Sequence, residues 1–259
     1  MTTSGDDRDN HDEAREELPP VQDLPPGAGG LSVGDDLLPE VRQEDARAFA
    51  TRYASRSWLV LPLHTLTPEG VCSCAHIDCS SAAKHPRTQS GYKNASADLA
   101  DVEAWWTRWP DANVGIRVGG ESGPIVLDVD PRNGGDESLA ALLDEYGPMP
   151  LTPEVHTGGG GRHLYFARSP ELDRITKKTF LPGLDFLVDR AYVVSPPSRH
   201  SSGERYEWEK GREPWEIPLA PPPEWLVALV MGQVLPDRRP LEEILSFCGA
   251  TRRSFGLTG

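Results

Sequence analysis

The chain has 259 residues, with 26 Lys and Arg against 40 Asp and Glu and a formal net charge of -14, length enough for one substantial domain or two small ones. The charge is uneven: residues 1–45 hold thirteen acidic residues and three arginines, a net of -10, which leaves -4 for the rest, and from Gly161 to Arg212 ten basic residues outnumber seven acidic ones. Global acidity therefore does not exclude a polyanionic partner, whereas the lack of a signal-peptide pattern and of any apolar run longer than Trp58 to Leu63 argues for a cytoplasmic protein with no membrane partner.

In chain order, residues 1–35 combine acidic residues with Leu18-Pro19-Pro20 and Leu24-Pro25-Pro26-Gly27 and read as a disordered acidic arm. One folded domain is expected over 36–231, with a cysteine-rich loop inserted at 72–87, and a short, partly helical tail over 232–259. A helix is predicted from Leu37 to Ser55, followed by a strand at Trp58–Pro62. Asp98 can cap a helix running to Trp109, where Pro110 ends it; its tryptophans read as core anchors before base-stacking platforms. Strands are predicted at 113–118, 124–130, 154–157, 162–167, 183–187, 192–195 and 205–208, with helices at 136–146, 224–231 and 240–247. A mixed sheet with few helices is an α+β pattern, not a regular βαβ alternation.

Four segments carry chemistry. Cys72, Cys74 and Cys79, with His85 or the competing His76, supply the soft and borderline donors of a closed tetrahedral site, so one structural zinc is expected. Asp128 and Asp130 end an apolar strand with two carboxylates on one face, an arrangement suited to a shared divalent cation or, more plainly, to a polar turn. The run His156-Thr157-Gly158-Gly159-Gly160-Gly161-Arg162-His163 places glycines before an Arg and a His, either as a phosphate cradle of backbone and side chains or as a flexible hairpin loop. Asp185, in an apolar segment, needs a partner: a metal shared with Asp128 and Asp130, or a salt bridge to Lys177, Lys178 or Arg190. Ser198, Arg199 and His200, after a proline turn, are candidate phosphate or template contacts or, more plainly, part of an ordinary surface turn.

Taken together and in this order, these pieces resemble the bifunctional DNA primase/polymerase (prim-pol) domain of the archaeo-eukaryotic primase superfamily. The likeness rests on the Cys-x-Cys and Lys84-His85-Pro86-Arg87 segments, Trp105-Trp106 to Trp109-Pro110, Asn113-Val114-Gly115-Ile116 and Val126-Leu127-Asp128-Val129-Asp130. It continues through Gly134-Gly135, Thr157 to Phe166, Gly183-Leu184-Asp185 and Tyr192 to Ser198, and ends with Tyr206-Glu207-Trp208. The resemblance implies an RRM-like catalytic sheet joined to a smaller α/β unit, with Asp128, Asp130 and Asp185 binding two Mg2+ or Mn2+ ions. It further implies that His163, with Arg162, and the glycines Gly159, Gly160 and Gly161 touch the phosphates of an incoming nucleoside triphosphate. A single-stranded DNA template and a separately encoded helicase are the implied partners, since no Walker motif follows, and replication of a plasmid, phage or integrated element is the implied setting. Two departures stand out: Phe186 to Ala191 occupies the place where the family tends to have an Arg and a glycine pair, and Gly161 replaces a small hydroxyl residue. A metal-dependent nuclease using the same acids, and a catalytically silent zinc-bearing DNA-binding protein, are the competing readings.

Overall fold

A computed structural model describes residues 45–120 and 123–233, with positions 235, 238, 239, 243, 244 and 246. The acidic arm, the predicted start of the first helix and most of the 240–247 helix lie outside the described residues. Helix α1 (Ala46–Ala54) begins where the Asp45 carboxylate accepts from the Arg47 amide, and it buries Ala50, Tyr53 and Ala54. Helix α2 (Leu99–Arg108) begins in the same way, with Asp98 accepting from the Ala100 amide at 2.8 Å. Each carboxylate satisfies an amide that the first helical turn leaves unpaired. Trp106 is buried in the core and its indole N–H donates to the Ala112 carbonyl.

Strands β1 (Val60–Leu63), β2 (Asn113–Arg117) and β8 (Tyr192–Ser195) form a three-stranded sheet in the order β1-β2-β8. The larger sheet runs β6-β7-β3-β5-β4-β9, with β3 at Ile125–Val129, β4 at Glu154–His156, β5 at Arg162–Phe166, β6 at Lys177–Leu181, β7 at Leu184–Leu187 and β9 at Glu207–Trp208. The α+β class is as expected, but every pairing between the described strands is antiparallel where a mixed sheet was expected. The physical reason lies in the connections: β4–β5 and β6–β7 are joined by glycine-containing turns, and such short links join only antiparallel neighbours. Strand β6 was not foreseen, because Lys177, Lys178 and Thr179 are exposed and supply no apolar period; lysines on an edge strand also discourage pairing with a second molecule.

Period-two alternation divides the large sheet into two faces. Ile125, Leu127, Val129, Leu164, Phe166 and Phe186 pack with Leu139 and Leu142 of α3 (Gly135–Tyr146) and with Leu226, Leu229 and Val230 of α4 (Glu224–Val230). Val126, Tyr165, Val155 and Leu187 face the other way and share a core with α1, α2 and the three-stranded sheet. The Tyr165 and Ser195 hydroxyls, 3.0 Å apart and buried, tie the two sheets together. Among the described residues, no helix is long and apolar enough to cross a membrane.

Candidate active site

The register of the large sheet sets the site. Thr179 on β6 lies opposite Asp185 on β7, Asp185 opposite Asp128 on β3, Asp128 opposite His163 on β5, His163 opposite Val155 on β4, and Val155 opposite Trp208 on β9. Directly opposed residues in antiparallel strands project from the same face. Asp185, Asp128 and His163 thus stand side by side in one row, on the face that Val126 and Tyr165 bury further along.

Asp130, two residues beyond Asp128, is fixed by its own backbone. Its amide donates to the Gly183 carbonyl at 2.8 Å and its carbonyl accepts from Gly135 at 2.9 Å. Gly135 and Gly183 approach so closely that a Cβ on Gly183 would stand 2.3 Å from the Gly135 nitrogen, so neither position tolerates a side chain. The turn bearing Asp185 is thereby stitched to the end of the strand bearing Asp128.

These carboxylates are not equivalent. Burial, reinforced by the charges of Asp185 and Asp130, pushes Asp128 up to about 6. For Asp130, burial acts upward but is outweighed by hydrogen bonds from Arg132 and Asn133, which hold it below the usual range. Asp185 bonds to Lys177 at 2.7 Å and accepts from the Thr179 hydroxyl. Of the three cations considered for Asp185 from sequence, Lys177 is the one in contact. His163 is buried, its Nε2 lies 3.6 Å from Asp128 Oδ1, and its Nδ1 has no hydrogen-bond partner among the described residues. Burial and the charge of Lys84 lower its pKa to about 4, so the ring is neutral at pH 7 and the contact with Asp128 is not an ion pair.

The remaining sequence candidates separate. Arg162 neighbours His163 and therefore points from the opposite face, where it pairs with Asp136 at 3.0 Å and Glu154 at 3.6 Å; strand alternation corrects the expectation that it joins His163 at one ligand. In the glycine loop, the Gly160 amide donates to the Thr157 carbonyl and the Gly161 amide to its hydroxyl, so these two donors are engaged within the turn. A Cβ at Gly158 would meet His200 Cβ at 2.4 Å, and one at Gly161 would meet the Val129 carbonyl at 2.5 Å. Close packing against neighbouring backbone accounts for those glycines, while Gly159 faces the His200 ring and Gly160 faces open space. Ser198 is buried and latches β2, its hydroxyl accepting from the Val114 amide at 2.8 Å. Arg199 is exposed, and its backbone is held by the Asn113 side chain. His200 is buried, with Nδ1 bonded to Ser202.

Two residues near the acids had no role assigned from sequence. Lys84 is half-buried and its pKa is lowered by burial and by Arg132, against the opposing pull of Asp128 and Asp130. Arg132 grips Asp130 through side chain and backbone. Lys84 stands 44 positions from Asp128 in the numbering, so only tertiary structure reveals the proximity.

The cysteine loop gathers Cys72, Cys74, Cys79 and His85, whose donor atoms all lie within 4.8 Å of one another. Cys72 Sγ and His85 Nε2 are 3.5 Å apart, close to the edge of about 3.6 Å that a tetrahedral zinc with ordinary Zn–S and Zn–N bonds requires. Burial raises the Cys72 thiol, but hydrogen bonds from the Cys74 and Ala83 amides and from the Cys74 and His85 side chains prevail and bring it to about 6, favouring the thiolate that a metal needs. His85, not His76, completes the set, and these residues fit zinc.

Arg190, in the Phe186 to Ala191 stretch, takes a φ of 54°, a left-handed conformation that glycine adopts without strain. No curated protein matches the chain. Residues 50–225 match the family described as bifunctional DNA primase/polymerase, N-terminal, a span that includes the row of acids, the glycine hairpin and the cysteine loop. The chain therefore belongs to the Prim-Pol family, which supports an activity of the primase/polymerase type.

Proposed function

We propose that the protein is a template-dependent nucleotidyltransferase that extends a primer or begins one on single-stranded DNA, with Asp128, Asp130 and Asp185 as ligands of two divalent cations. The observation that carries this reading is the cross-strand row of Asp185, Asp128 and His163, with Asp130 following Asp128 on the same face. Burial raises the Asp128 pKa and the charges of Asp185 and Asp130 raise it further, and a hard, oxygen-seeking cation such as magnesium or manganese would relieve both. Bound there, the ions would lower the pKa of an attacking 3'-hydroxyl and neutralise a departing pyrophosphate.

The chain's own groups do the rest. His163 is neutral, and with Nδ1 lacking a partner its single proton belongs on Nε2, which faces the acids and can donate to a phosphate oxygen. The Gly159 backbone lies against the His200 ring and the Arg132 guanidinium, and these groups are the proposed contacts of the triphosphate. The zinc loop braces the polypeptide next to the site and takes no part in bond making, because four protein donors leave no open coordination position. A setting in replication of a plasmid, phage or integrated element, with a separately encoded helicase, is part of this reading.

The test is incubation with primed and unprimed single-stranded DNA, labelled nucleoside triphosphates, and magnesium or manganese. Template-directed product that disappears in Asp128→Asn is the expected result. Cleavage of labelled DNA without nucleotide consumption would replace this reading with a nuclease, and DNA binding indifferent to Asp128→Asn with no synthesis would replace it with a silent binding protein.

A further inference from the structure

The stretch from Ser81 to Arg87 leaves the cysteine loop and returns to the edge of β1, where His64 N–H donates to the His85 carbonyl and Arg87 N–H to the Pro62 carbonyl. Its middle is clamped from two sides. The Asn113 amide on β2 donates to the Ala83 carbonyl at 2.9 Å, and the Tyr192 hydroxyl on β8 donates to the Lys84 carbonyl at 3.0 Å. Ala83 is fully buried at a φ of 61°, a conformation alanine holds only where its surroundings enforce it. One residue later His85 enters the metal-ligand set. Lys84 is therefore a lysine whose backbone is fixed by a metal loop and by two strands of the small sheet.

The Asn113 side chain that holds the Ala83 carbonyl also donates to the carbonyl of Arg199, the residue before His200, whose ring flanks Gly159 together with the Arg132 guanidinium, and Lys84 lies within the electrostatic reach of Asp128, Asp130 and Arg132. The aspartates take their close partners elsewhere: Asp128 from His163, Asp130 from Arg132 and Asp185 from Lys177. Among the described residues Lys84 has no ion-pair partner. A half-buried ammonium with no anion in contact is favoured by one brought to it, and a triphosphate carried to the acids by metal would bring that charge within its reach.

We propose that Lys84 is a triphosphate-binding residue of the nucleotide site, held in place by the zinc loop. The inference rests on the nucleotidyl-transfer reading above and names a group in that site. It makes the zinc loop a positioning device: the same few residues that close the metal set aim a cation at the substrate phosphates.

The experiment measures equilibrium binding of the magnesium complex of a fluorescent nucleoside triphosphate, and of the matching monophosphate, to the full chain. Lys84→Gln is expected to weaken triphosphate binding about tenfold or more, the weight of one charge-assisted hydrogen bond, while monophosphate binding stays within about twofold. Lys84→Arg restores most of the loss. Tyr192→Phe, which removes only the hydroxyl on the Lys84 carbonyl, gives a smaller loss of the same kind, and combined with Lys84→Gln it adds nothing further, because both act through one side chain. Triphosphate binding by Lys84→Gln equal to that of the unaltered protein would overturn the inference and leave the nucleotidyl-transfer reading standing. Equal losses for triphosphate and monophosphate would also overturn it, as would a Tyr192→Phe loss that adds fully to that of Lys84→Gln. Failure of the unaltered protein to bind the triphosphate complex at all would overturn the nucleotidyl-transfer reading as well.

Discussion

Asp128 is the residue on which the chemistry and the stability of this protein meet. Its pKa in the metal-free fold, about 6, lies above the ordinary carboxylate value, so the folded state binds a proton that the unfolded state has released. The contribution is therefore favourable at pH below about 4 and is lost as pH rises through 6. In EDTA, the difference in melting temperature between Asp128→Asn and the unaltered protein should grow in favour of the variant from pH 4 to 7, because the opposing contribution of His163, whose lowered pKa favours the fold as pH rises, is common to both, and the variant should melt higher at pH 7.5. Adding manganese at pH 7.5 should raise the melting point of the unaltered protein and not that of the variant; thermal scans at fixed salt read all three effects. Asp128 and Asp130 were legible in sequence because a period of two puts them on one face, and Asp185 because a carboxylate in an apolar segment demands a partner. Arg162 was misplaced because a residue adjacent to His163 on a strand must face away from it. Lys84 was missed because its proximity to the acids comes from the meeting of two sheets, which no local pattern encodes.

At the scale of elements, the cysteine loop and α2 make separable demands. His85→Ala should lower zinc affinity more than about a hundredfold, beyond the range typical of a residue that only supports a ligand, while His76→Ala should retain one zinc per chain. Metal analysis after dialysis distinguishes them, and the reverse outcome would exchange the two histidines. In α2, Trp106→Ala should cost roughly 3–5 kcal/mol by opening a cavity in a close-packed core, against a clearly smaller loss for the partly buried Trp105→Ala; denaturant titration measures both. The helices were readable from Asp98, Pro110 and the spacing of apolar residues, and most strands from bounded apolar runs. Strand β6 was not, since its exposed lysines resemble a loop and only pairing with β7 makes them a strand. His85 was the fourth donor chosen from sequence, with His76 competing, and the fold gathers His85 with the three cysteines.

Over the whole molecule, the large sheet works with both faces. One is buried beneath α3 and α4; the other is apolar at Val126 and Tyr165 and becomes acidic at Asp128. Two cores of different composition thus hold β3 and β7 in the register that brings Asp128 opposite Asp185. A one-residue slip would send one of them to the helical face. The family match covers this frame, and the α+β pattern foretold it, but the uniformly antiparallel pairing emerged only from the connections. The claim on which the account depends is that these acids jointly hold divalent cations. Manganese titration followed by electron paramagnetic resonance, comparing the unaltered chain with Asp185→Asn, tests it most directly. The account predicts bound manganese in the first and at least about a hundredfold weaker binding in the second; manganese held equally by both proteins would contradict it.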